Sequence, residues 1–96
     1  MRAATRATQH RWIPARFRLD LEFGCITNAE RLHRSDSRLK LVVGRTRLGC
    51  GRWGDHVWCS TPRGAVIDPY FMNLFPDRWG SVEYVPDQSA FDGNLA

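Results

Sequence analysis

Residues 55–68, DHVWCSTPRGAVID, contain the clearest structural signal in this chain. Two short runs rich in β-branched and aromatic residues, 55–60 and 65–68, flank the sequence TPRG. Proline at the second place and glycine at the fourth are typical of a type I turn followed by a left-handed glycine. The stretch therefore predicts a β-hairpin in which Thr61 pairs with Ala65.

This register divides the side chains of the hairpin between two faces. One face is apolar, and the other carries His56 and Asp68 as diagonal neighbours, about 7–8 Å apart at Cα. A slip of one residue would put these two on opposite faces and separate them. The first face holds Val57, Cys59, Ala65 and Ile67, and the second holds His56, Trp58, Val66 and Asp68.

The stretches around the hairpin carry their own periodic patterns. They predict a half-buried strand at 17–23, a short helix at 25–34, a strand at 39–48, a helical turn or packed loop at 70–75 and a last strand at 81–85. Within the second strand, Gly44 indicates a bulge or a close contact. This order predicts a small α+β domain with one main helix packed on an antiparallel sheet. We expect the helix to lie near the His56 face of a central hairpin.

Length and composition allow one domain, spanning 1–96. We expect residues 1–16 to form a mobile arm or a first irregular layer, and 86–96 a polar tail. The chain is 43% hydrophobic and 25% charged, which is typical of a globular protein and not of a disordered one. It contains no apolar run of the roughly 18 residues that span a membrane.

The expected core comprises Leu19, Leu21, Ile26, Leu32, Leu41, Val43, Val57, Ile67 and Phe71.

Three cysteines, Cys25, Cys50 and Cys59, are an odd number and do not suit a disulfide framework. The N-terminal residues show no secretory signal. We therefore expect free thiols, a cytoplasmic setting and no cofactor.

Cys25 is the candidate nucleophile because it opens the predicted helix. The first turn of a helix has unpaired N–H groups and a positive dipole end, which stabilise a thiolate. Gly24 lets the backbone turn sharply before it. His56 is the candidate base, and Asp68 would fix its tautomer.

Four motifs then point to a family: GCITNA at 24–29, a strand that reaches Gly44, HVW at 56–58 and GAVIDP at 64–69. Together they resemble the transglutaminase-like, papain-like superfamily in a small phage- or bacterial-type form. They are also similar to the core of the lasso-peptide leader peptidases. The resemblance implies a reduced papain/transglutaminase-like core and a Cys-His-Asp triad that acts by acyl transfer.

Carried over by position, Cys25 is the nucleophile, His56 the base and Asp68 the group that orients it. The function implied is that of a cysteine hydrolase or acyltransferase of peptidase or amidase type, with a protein or peptide substrate. The helices that usually precede the cysteine are missing or reduced. No oxyanion side chain is evident, so the backbone N–H of Cys25 is the candidate donor. Gln9 precedes the cysteine and has the residue type of a side-chain oxyanion donor.

The distribution of charge supports an alternative that is not an enzyme. The net charge is +4, but residues 1–52 carry +8 and residues 53–96 carry −4. The alternative is a basic binding protein, such as a virus- or mobile-element-type inhibitor of a host nuclease or defence complex. The Arg-rich N-terminal half would then contact an acidic protein or a nucleic acid. The candidate binding residues are Trp58, Arg45 and Arg47.

A metal site is the other alternative that we considered. Cys50, His56 and Cys59 are close in sequence, and Cys25 or His33 could complete a tetrahedral set. Structural zinc prefers cysteine pairs two to four residues apart, and these are wider. We therefore predict no metal.

Overall fold

The computed structural model of the chain describes residues 5–6, 24–75 and 77–91, the first pair by backbone alone. The elements are strand β1 (Thr5–Arg6), helix α1 (Cys25–Ser35), strands β2 (Lys40–Leu48), β3 (Gly54–Ser60) and β4 (Val66–Ile67), helix α2 (Pro69–Leu74), a 3₁₀ turn (Trp79–Ser81) and strand β5 (Val82–Pro86). The strands form one antiparallel sheet in the order β1-β5-β2-β3-β4. The protein is therefore an α+β fold with one main helix, as predicted.

The β3–β4 hairpin has the predicted register. The N–H of Thr61 donates to the carbonyl of Ala65 at 2.9 Å, and the N–H of Gly64 donates to the carbonyl of Thr61 at 2.9 Å. Gly64 has φ of +86°, a left-handed conformation that favours glycine. The hairpin lies at one edge of the sheet and β2 at its centre, so the expectation of a central hairpin was wrong.

Helix α1 packs on the apolar face of the hairpin, and not on its His56 face as we expected. Its buried residues join one cluster composed of Ala29, Leu32, Leu39, Val57, Cys59 and Ile67. The thiol of Cys59 also donates to the carbonyl of Ala29 at 3.3 Å. The prediction was wrong because burial of an apolar helix stripe is most favourable against an apolar partner. The opposite face holds a second cluster composed of Trp58, Val66, Val82 and Tyr84.

The predicted core is partly correct. Leu32, Val57 and Ile67 are buried, and Phe71 is half-buried. Three other members of the predicted core are exposed: Ile26 (44%), Leu41 (38%) and Val43 (36%). The two β2 side chains lie opposite Cys59 and Val57 but outside the cluster that α1 buries. Leu19 and Leu21 lie outside the described residues.

Gly44 makes the close contact that the sequence indicated. It lies where β2 passes between β3 and β5. A Cβ atom there would collide with the Trp58 ring and with the backbone of Val85 and Pro86. The absence of a side chain therefore lets the Trp58 ring lie across the central strand.

Described residues near both ends of the chain belong to the fold. Thr5–Arg6 pairs with β5, although the rest of 1–16 and the predicted strand at 17–23 lie outside the described residues. Ala90 is buried at 4% exposure, and Phe91 packs against the α1 cluster. In the part of the chain described, no helix has the length and apolar character needed to cross a bilayer.

Candidate active site

Cys25 is the first residue of α1. The side chain of Asn28 is fully buried and donates from Nδ2 to the carbonyl of Gly24 at 3.0 Å. The backbone N–H of Asn28 donates to the same carbonyl at 3.3 Å. These bonds fix the start of the helix and place the half-buried Cys25 thiol in its positively polarised first turn.

His56 and Asp68 meet at the open end of the hairpin, as the register predicted. Nε2 of His56 lies 2.7 Å from Oδ2 of Asp68, and both residues are almost fully buried. Asp68 is also the N-cap of α2, where Oδ1 accepts from the backbone N–H groups of Tyr70 (3.1 Å) and Phe71 (3.3 Å). Aspartate is a preferred N-cap, and Pro69 at the first helical position suits the start of a helix. The Asp-Pro pair therefore holds the carboxylate in place for His56.

Cys25 reaches the same histidine from the other side. The His56 side chain and the backbone of Val57 both act on its thiol and lower the pKa of that thiol. Because Asp68 engages Nε2, Nδ1 is the nitrogen left for the thiol. The three residues predicted as a triad are therefore brought together, although α1 lies on the opposite face of the sheet from His56.

The electrostatics of the site favour a charged pair. Burial raises the pKa of the Cys25 thiol, but the hydrogen bond and the charge of His56 outweigh it and hold that pKa below its usual value. Burial lowers the pKa of His56, but hydrogen bonds to Asp68 and Cys25 outweigh it and raise that pKa to about 9. The contact between Cys25 and His56 therefore favours the thiolate form of the cysteine beside a protonated imidazole.

Two residues of the site were not predicted as part of it. The hydroxyl of Tyr84 donates to Oδ2 of Asp68 at 2.7 Å. The ring of Phe71 stacks on the imidazole of His56, with centroids 4.1 Å apart and an interplanar angle of 3°. The sequence placed Tyr84 in a strand and Phe71 in the core, but neither pattern indicates a contact with the triad.

Trp58, proposed from sequence as a binding residue, lies in the core. Its side chain is 1% exposed and packs edge-on against Tyr84, with centroids 5.0 Å apart. Its ring centre is 6.1 Å from that of His56. Trp58 therefore forms part of the wall of the site and does not reach the surface.

Arg45 and Arg47 lie in ion pairs on the sheet. Arg45 contacts Asp55 at 3.3 Å and Asp87 at 2.9 Å. Arg47 contacts Glu83 at 3.2 Å, and its guanidinium also lies 4.6 Å from the ring centre of Trp53. Carboxylates therefore offset the positive charge of both arginines locally.

In the described part of the chain, no three His, Cys, Asp or Glu side chains lie close enough together to hold a metal ion. Cys50 is exposed, whereas Cys59 is buried in the α1 cluster. Burial is the main cause that raises the pKa of Cys59 to about 12, which makes it an unreactive thiol. Nδ1 of His33 lies 2.6 Å from the carbonyl of Leu39, a structural contact.

Comparison of the chain with protein-family models, with curated proteins and with solved structures gives no match. The geometry of Cys25, His56 and Asp68 is therefore the basis for assigning a function.

Proposed function

We propose that this protein is a small cysteine hydrolase or acyltransferase of the transglutaminase-like type, acting on a peptide bond, an isopeptide bond or a glutamine side-chain amide. The observation that carries the proposal is the bond of 2.7 Å from His56 to Asp68, together with the effect of His56 in lowering the pKa of the Cys25 thiol. The resemblance of the GCITNA, HVW and GAVIDP motifs points to the same chemistry. Free thiols at Cys25, Cys50 and Cys59 suit a reducing compartment such as the cytoplasm.

Each residue then has a defined step in acyl transfer. The Cys25 thiolate attacks the carbonyl carbon of the substrate, and the C–S bond forms as the carbonyl electrons move to oxygen. His56 donates its proton to the leaving amine as the C–N bond breaks, which leaves an acyl-thioester on Cys25. Water or an amine then attacks the thioester and gives a proton to His56, and the thiolate leaves. Asp68 keeps the imidazole oriented throughout.

The first turn of α1 supplies donors for the developing oxyanion. The N–H groups at the start of a helix have no partner within the helix, and they lie beside the nucleophile here. Gln9, noted from sequence, lies outside the described residues. We assign oxyanion stabilisation to the backbone N–H of Cys25, because it lies at the start of the helix.

An acyl-transfer assay tests the proposal. The full-length protein is incubated with a glutamine-containing protein such as casein and a fluorescent primary amine, and separately with a library of short peptides. We expect amine incorporation or peptide cleavage in at least one arm, with loss of the signal in Cys25→Ala and retention in Cys50→Ala. Equal turnover by Cys25→Ala, or no turnover in either arm, would contradict the proposal.

The basic-binder alternative has less support from the contacts of its proposed residues. Arg45 and Arg47 are paired with carboxylates, and Trp58 is buried. A charge reversal separates the two functions: as an enzyme, the protein should keep its biological effect in Arg47→Glu and lose it in Cys25→Ala. A binder would show the reverse.

A further inference from the structure

The hydroxyl of Tyr84 is placed deep in the protein against a charged group. Tyr84 is fully buried on β5, next to the central strand β2. A buried hydroxyl is unfavourable unless it finds a partner. A phenylalanine would fill the same apolar space beside Trp58 without needing one. The partner is the Asp68 carboxylate, which already contacts His56.

We propose that Tyr84 is a positioning residue of the site, whose hydroxyl fixes the Asp68 carboxylate and through it sets both the orientation and the proton affinity of His56. This inference rests on the proposed function, because it assigns a role within the same site.

The geometry at Asp68 explains the role in orientation. Oδ1 accepts from the backbone N–H groups of Tyr70 and Phe71, and Oδ2 accepts from Tyr84 and His56. Donors on both oxygens fix the plane of the carboxylate, so the imidazole has one favourable direction for its bond to Oδ2. The Tyr84 phenol is itself held by the edge-on packing against Trp58.

The shared oxygen explains the role in proton affinity. The bonds from Tyr84 and from His56 to Oδ2 are both 2.7 Å long. A hydrogen-bond donor on a carboxylate oxygen withdraws negative charge from the carboxylate. This weakens the attraction between the carboxylate and the imidazolium. Burial raises the pKa of Tyr84, and the charge of Asp68 raises it further, so the hydroxyl remains a donor over the working pH range. Removal of the hydroxyl should therefore make His56 hold its proton to higher pH.

The test is the titration of His56 in full-length wild type, Tyr84→Phe and Val82→Ala, followed by NMR of the imidazole. We expect Tyr84→Phe to raise the pKa of His56 by about one unit, the scale of one hydrogen bond to a charged group. It should also lower turnover. Val82 is buried on the same strand and in the same cluster, but its side chain has no group that could hydrogen-bond to Asp68. Truncation of Val82 should lower the stability of the protein and leave the pKa of His56 unchanged.

A second substitution keeps the test decisive if Tyr84→Phe folds poorly. In a Tyr70→Phe background, 3-fluorotyrosine enters position 84 alone, because the chain contains two tyrosines. Its phenol is more acidic and donates more strongly, so the pKa of His56 should fall relative to the unfluorinated protein.

Two outcomes separate the failures. If wild-type His56 titrates near its ordinary value of about 6.5 and Cys25 has ordinary reactivity, the proposed function fails together with this inference. If the wild type has the raised His56 pKa but neither substitution at position 84 moves it, only the inference is overturned. A shift of the same size in Val82→Ala would also overturn it.

Discussion

Nε2 of His56 lies 2.7 Å from Oδ2 of Asp68, across a hairpin that separates the two residues by 12 positions. The turn produces this contact, because the three-residue loop with Gly64 sets the register that puts both side chains on one face. Asp68 then ends the hairpin and caps α2 with the same carboxylate. One side chain therefore links the turn, the short helix and the candidate base.

Asp68→Asn tests this link. An asparagine carbonyl can still cap α2, so we expect the variant to fold. The substitution removes the carboxylate whose hydrogen bond is the main cause that raises the pKa of His56, and it removes the charge that adds to this effect. We expect the pKa of His56 to fall and turnover to drop, by up to about 10⁴-fold, the loss seen when a triad carboxylate is neutralised. NMR titration and turnover measure the two effects, and an unchanged His56 pKa would contradict the assignment.

Cys25→Ala and His56→Ala should each abolish turnover. The double variant should be no worse than either single variant, because members of a catalytic unit act non-additively. Steady-state rates of the three proteins, normalised to folded protein by circular dichroism, provide the comparison. Losses that multiply in the double variant would mean that the two residues act independently.

Ile67→Ala should destabilise the fold by about 2–5 kcal/mol, the usual range for truncation of a large buried aliphatic side chain. Ile67 is fully buried on the face of the hairpin that α1 covers. The matched control is Leu41→Ala, because Leu41 is 38% exposed and its loss should change the free energy of unfolding by about 1 kcal/mol or less. Urea denaturation of both variants gives the values. Equal losses would mean that the assignment of the two faces is wrong.

Gly44→Ala should also destabilise the protein, by about 1–3 kcal/mol, because the added methyl group overpacks the crossing of β2, β5 and Trp58. Gly80→Ala is the control, since a Cβ atom there meets no other group within 4 Å. Thermal melts of the two variants measure the loss of stability in each. If Gly44→Ala melts like the control, the Trp58 ring does not lie over β2.

Local signals explain what the sequence could predict. The TPRG turn determines the hairpin register, and the register brings His56 to Asp68. The change from alternating to helical periodicity at Cys25 places the thiol at a helix start. These features depend on neighbours in sequence or on one hairpin, so the three residues of the candidate triad could be named without a structure.

The rest depends on contacts between distant elements. Tyr84 reaches Asp68 because β5 pairs with β2, and no local pattern gives that strand order. We expected the helix on the His56 face of the hairpin because Cys25 must approach His56, and that prediction was wrong. Only the first residue of α1 needs to reach His56, and the apolar residues that follow bury themselves on the other face. The exposure of Leu41 and Val43 likewise depends on how far α1 extends over the sheet.

The activation of Cys25 by His56 can be measured without a substrate, from the rate at which iodoacetamide alkylates each cysteine. The rates are followed by mass spectrometry across pH in wild type and in His56→Gln. At about pH 6.5 the half-buried Cys25 should react faster than the exposed Cys50, because the contact with His56 holds the Cys25 pKa below its usual value. In His56→Gln the charge is lost while burial remains, so the midpoint of Cys25 alkylation should move to higher pH and the advantage over Cys50 should disappear. Equal reactivity of Cys25 and Cys50 at about pH 6.5 in wild type, with no shift in His56→Gln, would mean that His56 does not activate Cys25.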